Sequence, residues 1–451
     1  MSLVGLWSIP ASAETLSLAD SLVRATANHP DIQSSQTDVV SAQARESQVT
    51  AGYGPKLDAA ANVQVWTDAN EVNINAFGAN LPPPETPYEE LISGLLSTGT
   101  LTLRDQVTWD ASLTLTQPLT PLWDIHLASK ISEISTQVAK TNVSASERRV
   151  RRDVASAFLR VNQARKAVAN SSDEVTQLKA QSDRLQILVE AGAAQNADKL
   201  RIDVALAAAQ QREFRAEADL NLATSAFAVA LGENDGTDLD AAELEVGTLQ
   251  APTTSLEALI EVAMTERDEI QNLDGQYNQA DFQVDLKKSA YKPDVVALAQ
   301  YQHTEGQGLS NADSFFVGAS LRWNLFEWGK TQSAVDEASS SVVKVKLAKE
   351  QVRRQIGLQV RKSWYDYEAS RKMHEVASSA VSQAEEAFRV ENERFEAGQS
   401  TSTDLLAAQT ALTEAKNNRD AAYYQGLVNR AELTWAIGRT VTAENLIQGD
   451  I

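Results

Sequence analysis

The chain spells out its structure twice, in copies far longer than the 20 to 50 residues of solenoid repeats. A constant offset of 238 aligns Leu18–Pro55 with Leu256–Pro293, matching Leu22 to Ile260, Ala25 to Ala263 and Ile32-Gln33 to Ile270-Gln271. Further on, an offset of 206 matches Gly192 to Gly398, Asp198 to Asp404, Leu200 to Leu406, Ala205-Leu206 to Ala411-Leu412 and Gly232 to Gly438. Each half runs through a helical region, two alternating segments and a very long helical hairpin. A fold for this chain must therefore accommodate two equivalent halves.

The alternating segments have period two, the signature of strands with one wet face. Leu57, Ala59, Ala61, Val63 and Val65 oppose Asp58, Asn62 and Gln64; Val107, Trp109, Ala111, Leu113 and Leu115 oppose Thr108, Asp110, Ser112, Thr114 and Thr116. The second half answers with Val295, Ala297, Ala299 and Tyr301, then with Phe315, Val317, Ala319, Leu321 and Trp323. Residues 68–106 form a polar, Pro-rich insertion containing Leu81-Pro82-Pro83-Pro84, which reads as an exposed loop.

The helical runs are long. Asp124 to Val189 contains no Pro or Gly, enough for about 100 Å at ~1.5 Å per residue. Glu327 to Ala397 is comparable, and both runs end on a glycine, a short polar turn and a helix opening on Asp198 or Asp404. The expected division is 14–245 and 246–440. The first half has strands near 56–66 and 107–117 and a hairpin near 124–232. The second has strands near 293–302 and 314–324 and a hairpin near 327–438. Residues 441–451 form a tail, and residues 1–13 read as a truncated signal-peptide remnant ending in Ala11-Ser12-Ala13.

Composition narrows the function. A net charge of −21 disfavours nucleic acid, whose phosphates need Lys and Arg. The absence of cysteine removes disulfides, thiolate metal sites and a lipid-modified N-terminal cysteine. No run reaches the ~20 apolar residues of a membrane-spanning helix. The four histidines, His29, His126, His303 and His374, are dispersed, and no phosphate-binding loop is present. No cofactor is expected, and the chain does not read as an enzyme.

Strands that are apolar on one face and polar on the other suit a transmembrane barrel. Four cannot close one, because lipid tolerates no open sheet edge and small barrels need about eight strands. Two chains supply eight and three supply twelve, whereas a soluble four-stranded sheet is the alternative. Of the eight tryptophans, Trp66, Trp109, Trp123, Trp323 and Trp328 lie in or beside these strands, as an interfacial girdle or as ordinary packing.

At this point the chain resembles the TolC family of outer-membrane efflux and secretion channels. The likeness lies in His29-Pro30-Asp31 leading to Gly54-Pro55-Lys56-Leu57, in Ser112–Leu119, and in Arg394-Phe395-Glu396-Ala397-Gly398 through Asp404–Gln409. The first-half counterpart of the last is Val189–Gly192 through Asp198-Lys199-Leu200, and the likeness extends over about residues 14–440. It implies a mainly α fold with a small β part: a homotrimer with a twelve-stranded barrel in outer-membrane lipid and a twelve-helix periplasmic tube. Such a channel serves an efflux pump or a type I secretion system, working with a periplasmic adaptor and an inner-membrane transporter. A soluble periplasmic coiled-coil scaffold is the rival reading, separable by whether the protein partitions into the outer membrane.

In the best-known member of that family a tyrosine and an arginine on the second hairpin hold an aspartate on the first, closing the tip, and two aspartate rings narrow the entrance. Register assigns Asp198 to the first-hairpin aspartate and Asp404 to the outer ring. Phe395 stands in place of the tyrosine, Ser400 of the arginine and Ala407 of the second ring. The turns Gly192-Ala193-Ala194 and Gly398-Gln399-Ser400-Thr401-Ser402 are the expected adaptor-docking tips.

Overall fold

Duplication is visible first in how the short helices begin and end. Ser17 caps α1 (Leu18–Asn28) by accepting from Asp20 N at 3.1 Å, and Ser255 caps α5 (Leu256–Glu266) from Ala258 N at 3.4 Å. Each ends on an extended residue, His29 (ψ 131°) or Arg267 (ψ 129°). In the first half Pro30 forces that break; in the second, Arg267 accompanies it by donating to the terminal carbonyls of Trp435 and Ala436 at 3.4 and 3.1 Å.

The computed structural model describes residues 14–73, 83–90, 100–308 and 312–447. The signal-peptide reading at 1–13, residues 74–82 and 91–99 of the insertion and the last four residues of the tail lie outside them. Between α1 and α5 come α2 (Pro30–Ala51), α3 (Leu122–Glu190) and α4 (Asn196–Ala230). After α5 come α6 (Asp268–Ser289), α7 (Lys330–Glu396), α8 (Ser402–Ala436) and α9 (Ala443–Ile447). The eight described strands are β1 (Glu14–Leu16), β2 (Lys56–Val65), β3 (Asn70–Asn73), β4 (Thr100–Arg104), β5 (Val107–Pro118), β6 (Leu239–Ala241), β7 (Asp294–Glu305) and β8 (Asp313–Arg322). Gly357 lies within α7, so one half-buried glycine does not break a helix of 67 residues. Among the described residues no helix is long and apolar enough to cross a membrane, which says nothing of a β-barrel.

Two compact units divide the chain, and each draws on both halves of the repeat. The first comprises residues 1–41, 137–276 and 345–451. Its main core gathers Leu18, Leu22, Ala25, Val154, Phe158, Leu159, Phe227, Tyr424 and Leu427 around α1. A second cluster gathers Leu256, Leu259, Ala263, Ile356, Val360, Tyr367, Leu433 and Ile437 around α5. The short parallel pair β1–β6 joins this unit, with Glu14 opposite Leu239. Strands of three residues carry no readable alternation, so the sequence gives no sign of them.

The repeated glycines close the return helices. Gly232 (φ +83°) and Gly438 (φ +85°) each follow a helix end, and a Cβ on Gly438 would lie 2.9 Å from the backbone carbon of Glu266. Gly438→Ala therefore carries both left-handed strain, about 1 kcal/mol, and a clash of about 1–3 kcal/mol. Gly236→Ala, with φ +85° but nothing within 4 Å, carries the strain alone. Thermal unfolding should rank Gly438→Ala clearly below Gly236→Ala, and equal melting temperatures would refute the close-approach argument.

The second unit, residues 42–136 and 277–344, holds a four-stranded antiparallel sheet in the order β2-β5-β7-β8. The junction of the two halves is β5–β7, where Leu113 faces Tyr301. Both outer edges, β2 and β8, are unpaired, and every residue of those two strands is exposed. The two ends of the insertion are not plain loop: β3 and β4 pair antiparallel, Val72 opposite Leu101. The alternation Thr100-Leu101-Thr102-Leu103 was its only signal, too short to stand out from a polar stretch.

Candidate functional site

Register places the apolar positions of all four strands on one face. Val63 opposes Trp109, Ala59 opposes Leu113, which opposes Tyr301, which opposes Phe315. Within the described residues of this unit the face is open: Val63 is 72% exposed and Val317 71%. Leaving so much clustered apolar surface in water is unfavourable at about 25 cal/mol per Å². The opposite face is polar, with Asn62 across from Asp110 and Thr114 across from Gln300.

The apolar face has defined limits. Toward the strand-connecting loops it ends in a polar group: Tyr301 Oη donates to Asp313 Oδ1 at 2.6 Å, and His303 Nδ1 lies 2.8 Å from the same oxygen. Trp109 packs on the His303 ring at 5.0 Å. At the other limit Trp323 Nε1 donates to Tyr291 O at 3.1 Å, and Lys292 Nζ sits 5.0 Å from the Trp123 ring. Trp328 is 89% exposed, with φ +50° and Phe326 edge-on at 4.9 Å. Trp66 departs from the girdle expectation. Its indole donates to Thr108 Oγ1, a polar-face residue, at 3.1 Å, and Arg104 stacks on its ring at 3.8 Å.

In the first unit the two hairpin turns have distinct chemistry. After α3, Gly192 (φ +71°) lets Ala193 N and Ala194 N return to Leu188 O at 2.8 and 3.2 Å. After α7, Gly398 (φ +67°) lets Gln399 N reach Arg394 O at 2.8 Å. Gln195 gives α4 no side-chain cap, whereas Thr401 and Asp404 form a reciprocal capping box on α8. Thr401 Oγ1 donates to Asp404 Oδ2 at 2.6 Å and accepts from Asp404 N at 3.2 Å. The Thr401 hydroxyl, its backbone N–H and the nearby Arg394 charge hold the Asp404 carboxyl below its ordinary range.

Asp198 instead bridges the hairpins. Ser402 Oγ, 1% exposed as a residue, donates to Asp198 Oδ1 at 2.7 Å, and Arg201 Nη1 approaches the same oxygen at 3.1 Å. A second tie joins Arg184 Nη1 of α3 to Glu396 Oε1 of α7 at 2.6 Å. Ser400 turns back within its own hairpin and donates to Glu391. Phe395 lines a cleft of about 340 Å³ with Phe388, Gln181, Arg184 and Asn392. Sequence register assigns Asp198 to the tip and Ser402 to a docking turn, and gives no sign of the bond between them, because the donor lies on the other hairpin and follows no spacing rule.

The comparisons agree with this architecture. The model of the outer membrane efflux protein family matches residues 22–233 and 259–439, one segment in each half. No curated protein sequence matches the chain. Among solved structures, the outer membrane protein VceC of Vibrio cholerae has a TM-score of 0.71 at 15% identity, covering 93% of this chain and 95% of that one. The CmeC outer membrane channel of Campylobacter jejuni has 0.74 at 13%, covering 99% and 93%. The open state of the Neisseria gonorrhoeae MtrE outer membrane channel has 0.73 at 15%, covering 96% and 94%. At such identities the likeness is one of fold.

Proposed function

The chain belongs to the outer membrane efflux protein family, and from that premise we propose that three copies build one exit duct across the outer membrane, their sheets joined into a twelve-stranded barrel. The carrying observation is a sheet with two unpaired edges and an uncovered apolar face. Lipid allows no open edge, so β8 of one copy pairs with β2 of the next, and the ring closes when the rotation does. Ten residue steps separate Asp313 from Trp323 on the apolar side. At ~3.3 Å per residue and a ~40° tilt they rise about 25 Å, the height of a lipid-facing apolar band. Trp109, Trp123, Trp323 and Trp328 form the girdle in this reading, and Trp66 faces the lumen.

The hairpins α3–α4 and α7–α8 make the helical tube, and their turns form its periplasmic tip. There the Ser402–Asp198 bond ties the two hairpins of one copy together and takes the place of the tyrosine-and-arginine latch. Asp404 serves first as the start of α8, with its charge contributing to an acidic entrance. A periplasmic adaptor meets the turns and couples the duct to an inner-membrane transporter. A soluble scaffold is disfavoured because it would leave the apolar face in water.

A photo-crosslinking residue placed at the exposed Ala193 or Gln399 tests the docking. Capture of a helical-hairpin adaptor from the periplasm is expected at these positions and not at Tyr88 in the insertion. Crosslinks equal in yield at all three, or none at the tips, would remove the assignment.

A further inference from the structure

We propose that Asp110 sets the charge preference of the strand-walled part of the duct, three copies forming an acidic ring that favours small cations in transit. The inference rests on the shared-barrel reading above, which turns the polar face of the sheet toward the lumen.

Five charged residues of the described strands lie on that face: Lys56, Asp58, Asp110, Asp294 and Arg322. Four of them cancel. Lys56 Nζ and Asp58 Oδ1 form an ion pair at 2.8 Å, and Asp294 stands directly opposite Arg322 across β7–β8. All four belong to the strand ends that join the helices. From there toward the loops the face is uncharged apart from Asp110, with the hydroxyls and amides of Ser112, Thr114, Gln300, Gln302 and Thr304 beside the apolar Leu298 and Phe316.

Asp110 interrupts that lining. It is half-buried in the wall, flanked across the strands by Asn62 and Thr304. Its bond is to an uncharged donor, Asn62 Nδ2 at 3.0 Å to Oδ2. No described residue forms an ion pair with it. The cation closest along the chain, Arg104, is held over the Trp66 ring at 3.8 Å and donates to Asp68 O at 3.4 Å. An amide partner fixes the carboxylate without neutralising it, so its charge remains available to the lumen. Three such charges around one axis sum to a negative potential that enriches cations and depletes anions.

Screening decides when the ring acts. The Debye length is about 30 Å at 0.01 M salt and about 3 Å at 1 M, so wall charge reaches across the lumen only in dilute salt.

The chain contains no cysteine, so Asp110→Cys introduces a single thiol per copy. Full-length trimers carrying it go into planar bilayers with a KCl gradient centred near 0.01 M, and the reversal potential gives the K+/Cl− permeability ratio. We expect the ratio to fall at least about twofold relative to the unsubstituted protein. A sulfonatoethyl thiosulfonate adduct should restore it, and a trimethylammonioethyl adduct should lower it further. Asp110→Asn, which keeps an acceptor for Asn62, should behave as the unmodified cysteine variant and guards against a folding defect. A ratio indifferent to adduct charge, or a thiol that water-borne reagent never labels, overturns the proposal while the duct stands. An unsubstituted protein that never conducts overturns the duct itself, and this ring with it.

Discussion

Val317→Arg should abolish assembly of the protein in the outer membrane. Val317 lies on the apolar face opposite Ala299, in the middle of the band between Asp313 and Trp323, and is 71% exposed. An arginine facing lipid near the midplane costs about 2–4 kcal/mol, and every trimer would hold three. That is comparable with the whole net stability of a domain, about 5–15 kcal/mol. The matching control is Ser320→Arg on the same strand, opposite Val296 on the polar face. It places the same side chain in a wet lumen and should assemble. Heat-modifiable oligomer in outer-membrane fractions is the readout. Normal assembly of Val317→Arg would mean that the apolar face does not meet lipid.

Asp198→Ala should open the periplasmic tip. The carboxylate accepts from Ser402 across the hairpins at 2.7 Å, and a hydrogen bond to a charged acceptor is worth about 1.5–3 kcal/mol. Removing it in all three copies shifts a closed tip toward open by at least about tenfold, since about 1.4 kcal/mol is a factor of ten. Ser402→Ala should reproduce the effect, and the double variant should add little, because both remove one interaction. Asp404→Asn tests the contrast. It weakens the capping box on Thr401, so it should lower helix stability near the turn without matching the rise in conductance. Single-channel recording separates the two. Conductance unchanged in Asp198→Ala and Ser402→Ala would show that the bond does not hold the tip closed.

Much of this fold was legible because long-range order repeats in the sequence and because both periodicities are strong. The alternation from Val107 to Thr116 and the uninterrupted run after Asp124 left little choice of element type, and the glycines at 192 and 398 marked the turns. The four amphipathic strands were legible too, and four such strands cannot satisfy their own edges, which is the ground of the proposed closure between copies. What stayed hidden depends on partners distant in sequence. The β1–β6 pair joins residues more than two hundred apart in strands too short to show a pattern. Trp66 fits a girdle by its place at a strand end, but the alternation Asn62, Gln64, Trp66 puts it on the polar face, where its hydrogen bond to Thr108 holds it. Asp404 carried the sequence signature of a helix start and of an acidic ring at once, and the capping geometry with Thr401 gives the first role its structural basis. Ser402 was read as part of a docking turn, and its tie to Asp198 depends on how the two hairpins meet.

The most direct test of the shared barrel joins its edges chemically. The chain has no native cysteine, so Ala60→Cys on β2 can be combined in one polypeptide with Cys at Phe316, Gly318 or Ser320 on β8, all on the polar face. Oxidation of membranes carrying these pairs should yield, for at least one register, a covalently closed trimer and nothing larger, reduced to single chains by thiol. Single chains alone for every pair, or an open ladder of ever-longer oligomers, would contradict a barrel built from three copies.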